Sequence, residues 1–333
     1  MRRVPTLIVL LLLALVAATA LGVVACGDEE EAGPEEGQTY SIGVTQIVSH
    51  PALDACVEGF KEALAEKGYE EGVNVTFDVQ NAQGDMATAT TIAQKFAGEG
   101  LDLVLSVATP TSQAMVQADS ETPIVFSAVT DPIGAGLLAN GDAPEANVTG
   151  VSDMLPVEPH LELIKRVVPD AQTIGLLYNA GEANSVFLVD AEKAAATEMG
   201  LTTVEATASN SSEVKAAAES LVGRCDVMSV LTDNTFVSGL ESVIMVCQEN
   251  GIPLIAGDTD SVKRGAAAAY AFDYFDHGKQ AGYMAAEILA GAAIADVPIQ
   301  FAENLVLSVN EASATKMGLT LPEDLVAEAT EKF

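Results

Sequence analysis

The sequence predicts an α/β protein built as two doubly wound parallel-sheet lobes. Three observations carry that expectation. From Tyr40 onward, short runs of β-branched and aliphatic residues alternate with Ala-rich amphipathic stretches, the pattern of βαβ units. Proline and glycine punctuate the transitions: Pro51 and Pro110 stand at first-turn positions, and Gly68 and Gly100 lie just past helix ends. The alternation runs through two successive series, divided at Asn147-Val148-Thr149-Gly150, over a length that suits one large domain or two of ordinary size.

In the first series strands are expected at 40–45, 73–79, 102–106 and 123–127, with helices at 52–67, 85–98 and 111–118 between them. In the second, strands at 172–178, 201–206, 226–231 and 253–257 alternate with helices at 157–167, 182–199, 211–222 and 235–249. A strand at 266–271 then leads into a helix over 276–290, and a strand at 305–309 precedes a short helix starting near Ala312. The segment 147–153 is the first candidate for a crossover. The lobes share no sequence repeat, so their likeness is one of architecture.

The N-terminus addresses the chain. Arg2 and Arg3 precede an apolar, charge-free run over 4–24 that ends in small residues and Cys26, the layout of a secretory signal over 1–25. The run is also long enough for a membrane anchor, but the crowding of Ala17, Ala18, Ala20, Gly22 and Ala25 before Cys26 favours cleavage. Residues 26–38 carry six carboxylates with Gly and Pro and no large apolar side chain, which makes a solvated tether. Removing 1–25, whose only charges are Arg2 and Arg3, takes the formal charge from −33 to −35. Such a surface repels phosphate backbones and excludes a nucleic-acid partner.

Cys56, Cys225 and Cys247 remain, with no CxxC pair and no Cys/His spacing that would hold zinc, so no metal and no cofactor is expected. Cys225 precedes a strand, and Cys247 lies near the end of the helix after it. In a βα unit that helix runs back, which brings the two cysteines within reach of a disulfide; two buried free thiols are the alternative.

Ligands of open α/β sheets bind at the C-terminal edges of the strands. In the first lobe those edges hold Thr45, Gln46, Ser49 and His50, then 108–112 with Thr109 and Thr111, then Ser127, Thr130 and Asp131. In the second they hold Tyr178, Asn179, Glu182, Asn184 and Ser185, then Thr232, Asp233 and Asn234, then Asp258. The first rim offers hydroxyls and helix-start N–H groups, which suit a carboxylate. The second offers carboxylates and amides, which suit an ammonium. An α-amino acid has that polarity, with Tyr178, Phe126, Phe236 and Tyr274 as the expected apolar wall. Asp and Asn at a strand end also serve as helix caps, a reading that stays open for Asp233, Asn234 and Asp258. No GxSxG, HExxH or Walker pattern accompanies His50, His160 and His277, so no enzyme is expected.

The order of short motifs resembles a known family. Ser49-His50-Pro51-Ala52-Leu53-Asp54, Asn81-Ala82-Gln83-Gly84-Asp85, Ala108-Thr109-Pro110-Thr111, Val129-Thr130-Asp131-Pro132, Glu182-Ala183-Asn184-Ser185 and Val262-Lys263-Arg264-Gly265 are similar to the ABC-transporter substrate-binding lipoproteins associated with tryptophan, tyrosine and phenylalanine uptake. The likeness runs from Tyr40 to Pro322. It implies the type I periplasmic binding protein fold, in which a three-stranded hinge joins the lobes, with crossings near Gly150, Tyr270 and Gln300. The N-terminal lobe would comprise 39–150 and 271–300, and the C-terminal lobe 151–270 and 301–333. Val23-Val24-Ala25-Cys26 resembles a lipobox, which implies lipid on Cys26 and attachment to the outer face of the cell membrane. The resemblance further implies that Thr109 and Thr111 hold a ligand carboxylate, with Asp233 and Asn234 opposite and Asp258, Glu182 and Ser185 completing the clamp. The implied partners are a small solute, permease subunits with a separate ATPase, and the membrane through Cys26, for a chain expected to be a monomer. A lipoprotein that senses the same ligand for a membrane receptor, or one that binds a sugar or nucleoside, is the alternative.

Overall fold

The computed structural model describes residues 33–34, 37–142, 144, 146–302 and 304–333. The signal segment, the lipidated cysteine expected at Cys26 and most of the tether lie outside the described residues.

Two sheets organise the chain. The first contains β1 (Tyr40–Gln46), β2 (Val75–Asn81), β3 (Leu103–Val107), β4 (Ile124–Val129), β5 (Val148–Ser152) and β11 (Gln300–Phe301), in the order β11-β5-β4-β3-β1-β2, all parallel. The second contains β6 (Thr173–Tyr178), β7 (Thr202–Thr207), β8 (Val227–Val230), β9 (Leu254–Ala256), β10 (Ala268–Ala271), β12 (Val306–Val309) and β13 (Glu331–Lys332). Its order is β13-β12-β10-β9-β8-β6-β7, with the β10–β12 pair antiparallel. The central strands are buried from end to end, as two-sided parallel sheets require.

The connecting helices are α1 (Pro51–Glu66), α2 (Met86–Ala97), α3 (Thr109–Ala118), α4 (Val157–Val167), α5 (Ala183–Glu198), α6 (Val214–Ser220), α7 (Asn234–Ser238), α8 (Leu240–Asn250), α9 (Thr259–Arg264) and α10 (Tyr274–Leu289). Two short helices, α11 (Glu311–Lys316) and α12 (Glu323–Glu328), close the chain. The chain passes between the sheets three times: after β5, between β10 and α10, and between β11 and β12. Most of the segment expected to be a crossover, Val148–Ser152, is thus a buried strand, and the first passage begins at the segment's last residue, Asp153.

Helix α10 returns to the first lobe and lies on α1 at very short range. A Cβ on Gly59 would stand 2.1 Å from the Phe275 carbonyl oxygen, and one on Gly278 would stand 2.1 Å from that of Cys56. Only glycine permits this approach of two backbones.

The cysteines require a correction: Cys225 and Cys247 are free thiols. Cys247 points from α8 into the core, its Sγ 3.6 Å from Met228 Sδ, whereas Cys225 covers Gly175 on the next strand and faces the Leu221 carbonyl. The returning helix brings the backbone back but aims the two sulfurs at different neighbours. Burial pushes both thiols up, Cys225 to about 11.

Candidate functional site

The C-terminal edges of the two sheets face each other across a cleft. At its centre is a cavity of about 20 Å³, the room of one water. His50, Ala52, Leu53, Ala128 and Thr130 line it from the first lobe, and Asn184, Thr232, Asp233, Asn234, Val237 and Asp258 from the second. Asp153 and Tyr274, at the first two passages between the sheets, form the rest of the wall. A groove of about 270 Å³ adjoins it at Asn234, with Ile47, Val48, Met86 and Pro110 on one side and Asn179, Glu182, Thr235 and Ser209 on the other. A third space of about 370 Å³ opens at Asn184, between Asp131, Gly134 and Ala135 and the start of α5.

The first rim is strained and underused. Ala108 (φ 80°) and Ala128 (φ 56°) end β3 and β4 in the left-handed region, where an L-residue costs on the order of 1 kcal/mol or more. At Ala128 the β4–β5 register shifts, and the freed N–H donates to His277 Nε2 at 2.9 Å. His277 therefore carries its proton on Nδ1, and burial lowers its pKa to about 4. At Ala108 the turn opens the N-terminus of α3, which has no side-chain cap. Thr109 is buried there with its Oγ1 unpartnered among the described residues, as is Thr45 Oγ1 at the end of β1.

His50 caps α1, its Nδ1 accepting from Leu53 N–H at 3.5 Å, which leaves the proton on Nε2. That nitrogen is buried in the central cavity with Asn234 beside it, and no hydrogen bond of full geometry satisfies it among the described residues. Burial, followed by the charge of Arg264 opposite, holds the imidazole at about 4, so it is a neutral donor at physiological pH.

The second rim is rigid and largely self-satisfied. Glu182 accepts from Asn234 Nδ2 (2.6 Å), Thr235 Oγ1 (2.8 Å) and the backbone N–H groups of both residues (3.2 Å each). Asp233 caps α7 through Phe236 N–H at 2.7 Å and also accepts from Asn179 N–H at 2.6 Å. Burial and then the Glu182 carboxylate push Asp233 up to about 7, against the lowering by Ser185 and those N–H groups. Asp258 caps α9 through the N–H and hydroxyl of Ser261. Asn184 gives its Nδ2 to the Thr232 carbonyl at 2.9 Å, and its Oδ1 remains buried and unpartnered.

Of the residues expected at the site, His50, Thr130, Asp233, Asn234 and Asp258 line the central cavity, and Asn179 and Glu182 line the 270 Å³ groove. Asp131 borders the third space and accepts from Gly134 N–H. Thr111 turns its hydroxyl onto the Val107 carbonyl, and Gln46 donates to Asp54 and Val48. Ser127 is buried beside the Cys56 thiol, and Ser185 lies between Asn184 and Asp233. Tyr178 does not line the cavity: its hydroxyl donates to Glu205 on the neighbouring strand at 2.8 Å. Phe126 and Phe236 belong to the cores of their lobes, so of the four expected aromatics only Tyr274 faces the cavity. Asp153 and the apolar Ile47, Val48 and Met86 line these spaces without having been expected there. Their signal is a hydrogen-bond inventory that exists only in three dimensions.

Residues 41–333 match the family described as ABC transporter substrate binding protein. A tyrosine-binding protein of Clostridioides difficile (strain R20291) is 41% identical over 310 residues, covering 90% of each chain. The structure of an ABC domain in complex with L-Trp from Streptococcus pneumonia is 35% identical, with a TM-score of 0.85 over 89% of this chain and all of that one. The ligand-free, open structure of a substrate-binding protein with adhesive properties from Clostridium difficile is 40% identical but reaches only 0.67, over 89% and 99%. The lobes described here are thus set more as in the L-Trp complex than as in the open relative.

Proposed function

This chain belongs to the family of ABC transporter substrate-binding proteins, and on that premise we propose that it captures an aromatic amino acid between its lobes for import. One observation carries the reading: buried polar atoms are left without partners at both rims among the described residues, His50 Nε2, Thr45 Oγ1 and Thr109 Oγ1 on the first and Asn184 Oδ1 and Thr232 Oγ1 on the second. His50 Nε2–H, Thr109 and the open start of α3 suit a carboxylate, while the second rim suits an ammonium. The 270 Å³ groove, apolar on its Ile47, Val48, Met86 and Pro110 side, suits the aromatic ring. The names of the relatives support the same solute.

Capture needs no bond-breaking. The ligand's bonds to both rims favour the closed arrangement of the lobes, 39–150 with 271–300 against 151–270 with 301–333, the borders shifted to the three passages of the chain. Closure then excludes water and strengthens the charge-assisted bonds. Signal cleavage and lipidation at Cys26 would hold the protein on the outer face of the membrane, where permease subunits served by a separate ATPase collect the solute.

A thermal-shift screen tests this, using residues 27–333 unfolded and refolded to remove carried-over solute, against the twenty amino acids, common sugars and nucleosides. A ligand bound only by the folded state raises Tm by mass action. A rise with Phe, Tyr or Trp is expected; a rise with a sugar or nucleoside alone would keep the fold and overturn the solute.

A further inference from the structure

We propose that Asp153, a residue of the first passage between the lobes, is the anchor for the ligand's ammonium, in place of Asp233 or Asp258. The inference rests on the amino-acid reading above and deepens it. Three carboxylates line one cavity, and their existing bonds separate them. A carboxylate offers about four acceptor sites. Asp233 already holds two backbone N–H groups in place, and Asp258 holds the N–H and hydroxyl of Ser261. Both close the first turn of a helix, so their geometry is fixed by the backbone.

Asp153 caps nothing. Its partners are two hydroxyls, Tyr274 at 2.7 Å and Thr130 at 3.1 Å, each neutral and one donor apiece. The side chain is buried, and burial raises its pKa, the mark of a carboxylate without a charged partner. A second group points to the same ligand: Asn184, 4% exposed, lines this cavity from the second lobe and carries a buried carbonyl oxygen that is unpartnered among the described residues. That oxygen must be an acceptor because the amide nitrogen is held by the Thr232 carbonyl. An ammonium has three donors and no acceptor, and it would join Asp153, Asn184 and a hydroxyl in one set. Nitrogen bound there would also fasten the first passage to the second, since Tyr274 opens α10.

The test compares L-tryptophan with 3-indolepropionate, which keeps ring and carboxylate but lacks the amine, by calorimetric titration of wild type, Asp153→Asn, Asp233→Asn and Asp258→Asn. Asp153→Asn is expected to weaken L-tryptophan about 10-fold or more, the scale of a lost bond to a charged group, and to leave 3-indolepropionate unchanged or tighter. Asp233→Asn and Asp258→Asn are expected to weaken both ligands by the same factor, through the rim they hold together. Equal losses in Asp153→Asn overturn the assignment. So does a loss confined to L-tryptophan in either other variant, a result that decides the matter even if Asp153→Asn does not fold. If wild type binds none of the aromatic amino acids, that reading fails, and the same amine and amine-free pair is made from whichever amino acid does bind. A wild type that takes only amine-free solutes sinks both.

Discussion

The two rims of the cleft are made of similar strand ends and do opposite things with their polar groups. The second rim has closed most of its bonds on itself: Glu182 and Asp233 receive donors from the start of α7 and from Asn179 in the loop before α5, and Asp258 caps α9, which leaves only Asn184 Oδ1 and Thr232 Oγ1 unpartnered there among the described residues. The first rim leaves Thr45, His50 and Thr109 with buried atoms unpartnered and bends its chain into two left-handed alanines to do so. The difference teaches that acidic residues at a strand end are weak evidence for a ligand contact, because a helix start needs the same groups. Unsatisfied neutral groups are the better evidence, since each costs stability that a ligand can restore.

The largest expected effect breaks the second rim. Glu182→Ala leaves at least four donors of α7 without their acceptor and should lower stability by about 3–5 kcal/mol, the scale of two or more buried donors left unsatisfied at about 1–3 kcal/mol each. Denaturant unfolding without ligand measures it. A loss under about 1 kcal/mol would mean the rim is not self-supporting.

A buried cluster in the second lobe gives the next effect. Glu192 Oε1 lies 3.6 Å from His160 Nε2, which is 2.9 Å from Ser229 Oγ, and all three residues are buried. Burial raises Glu192 to about 7 and lowers His160 to about 4. The folded protein keeps the Glu192 proton after the unfolded chain has lost it, so this contribution is full below about pH 4.5 and is lost as pH rises to about 7. His160 has the opposite sign, full above about 6.5 and lost as pH falls to about 4, and partly masks the slope. Subtracting the Glu192→Gln curve isolates the Glu192 share. Wild type should lose about 3 kcal/mol relative to that variant between pH 4.5 and 7.5, and parallel curves would place the proton elsewhere.

The first rim predicts a smaller and opposite pattern. Thr109→Val removes an unpartnered hydroxyl, so stability without ligand should hold within about 0.5 kcal/mol or rise, while affinity for the aromatic amino acid falls by about 1 kcal/mol. If affinity is unchanged, the ligand does not use that hydroxyl. Least of all, Tyr178→Phe should alter affinity by nothing measurable and stability by under about 0.5 kcal/mol, since it loses one exposed bond to Glu205. Weakened binding there would return Tyr178 to the cleft wall.

How far the sequence could be read follows from the same physics. Most strands and helices were legible within one to three residues because both periods are strong. β5 was not: Val148–Ser152 contains Thr, Gly and Ser after an Asn, which looks like a turn, and only burial between β4 and β11 makes it a strand. α9 was missed because Thr259–Arg264 is one and a half polar turns with no apolar stripe, and the helix expected at 235–249 breaks at Gly239. At the site, strand ends located the cleft but not which side chains enter it. Tyr178 stands at such an end and turns to the neighbouring strand, while Asp153 lies in a segment read as a connection.

The glycine contact between α1 and α10 has a consequence for how the chain becomes a protein. Gly59 and Gly278 meet across roughly 200 residues of sequence, and the whole second sheet except β12 and β13 lies between them. Contacts of such separation are slow to form, because a long loop must close before they contribute. A chain delivered from its N-terminus therefore holds α1 without its partner until most of the second lobe has been made. The first lobe begins first and finishes late, a long interval in which the polypeptide remains thin enough to be threaded and open to any chaperone that recognises an uncovered helix.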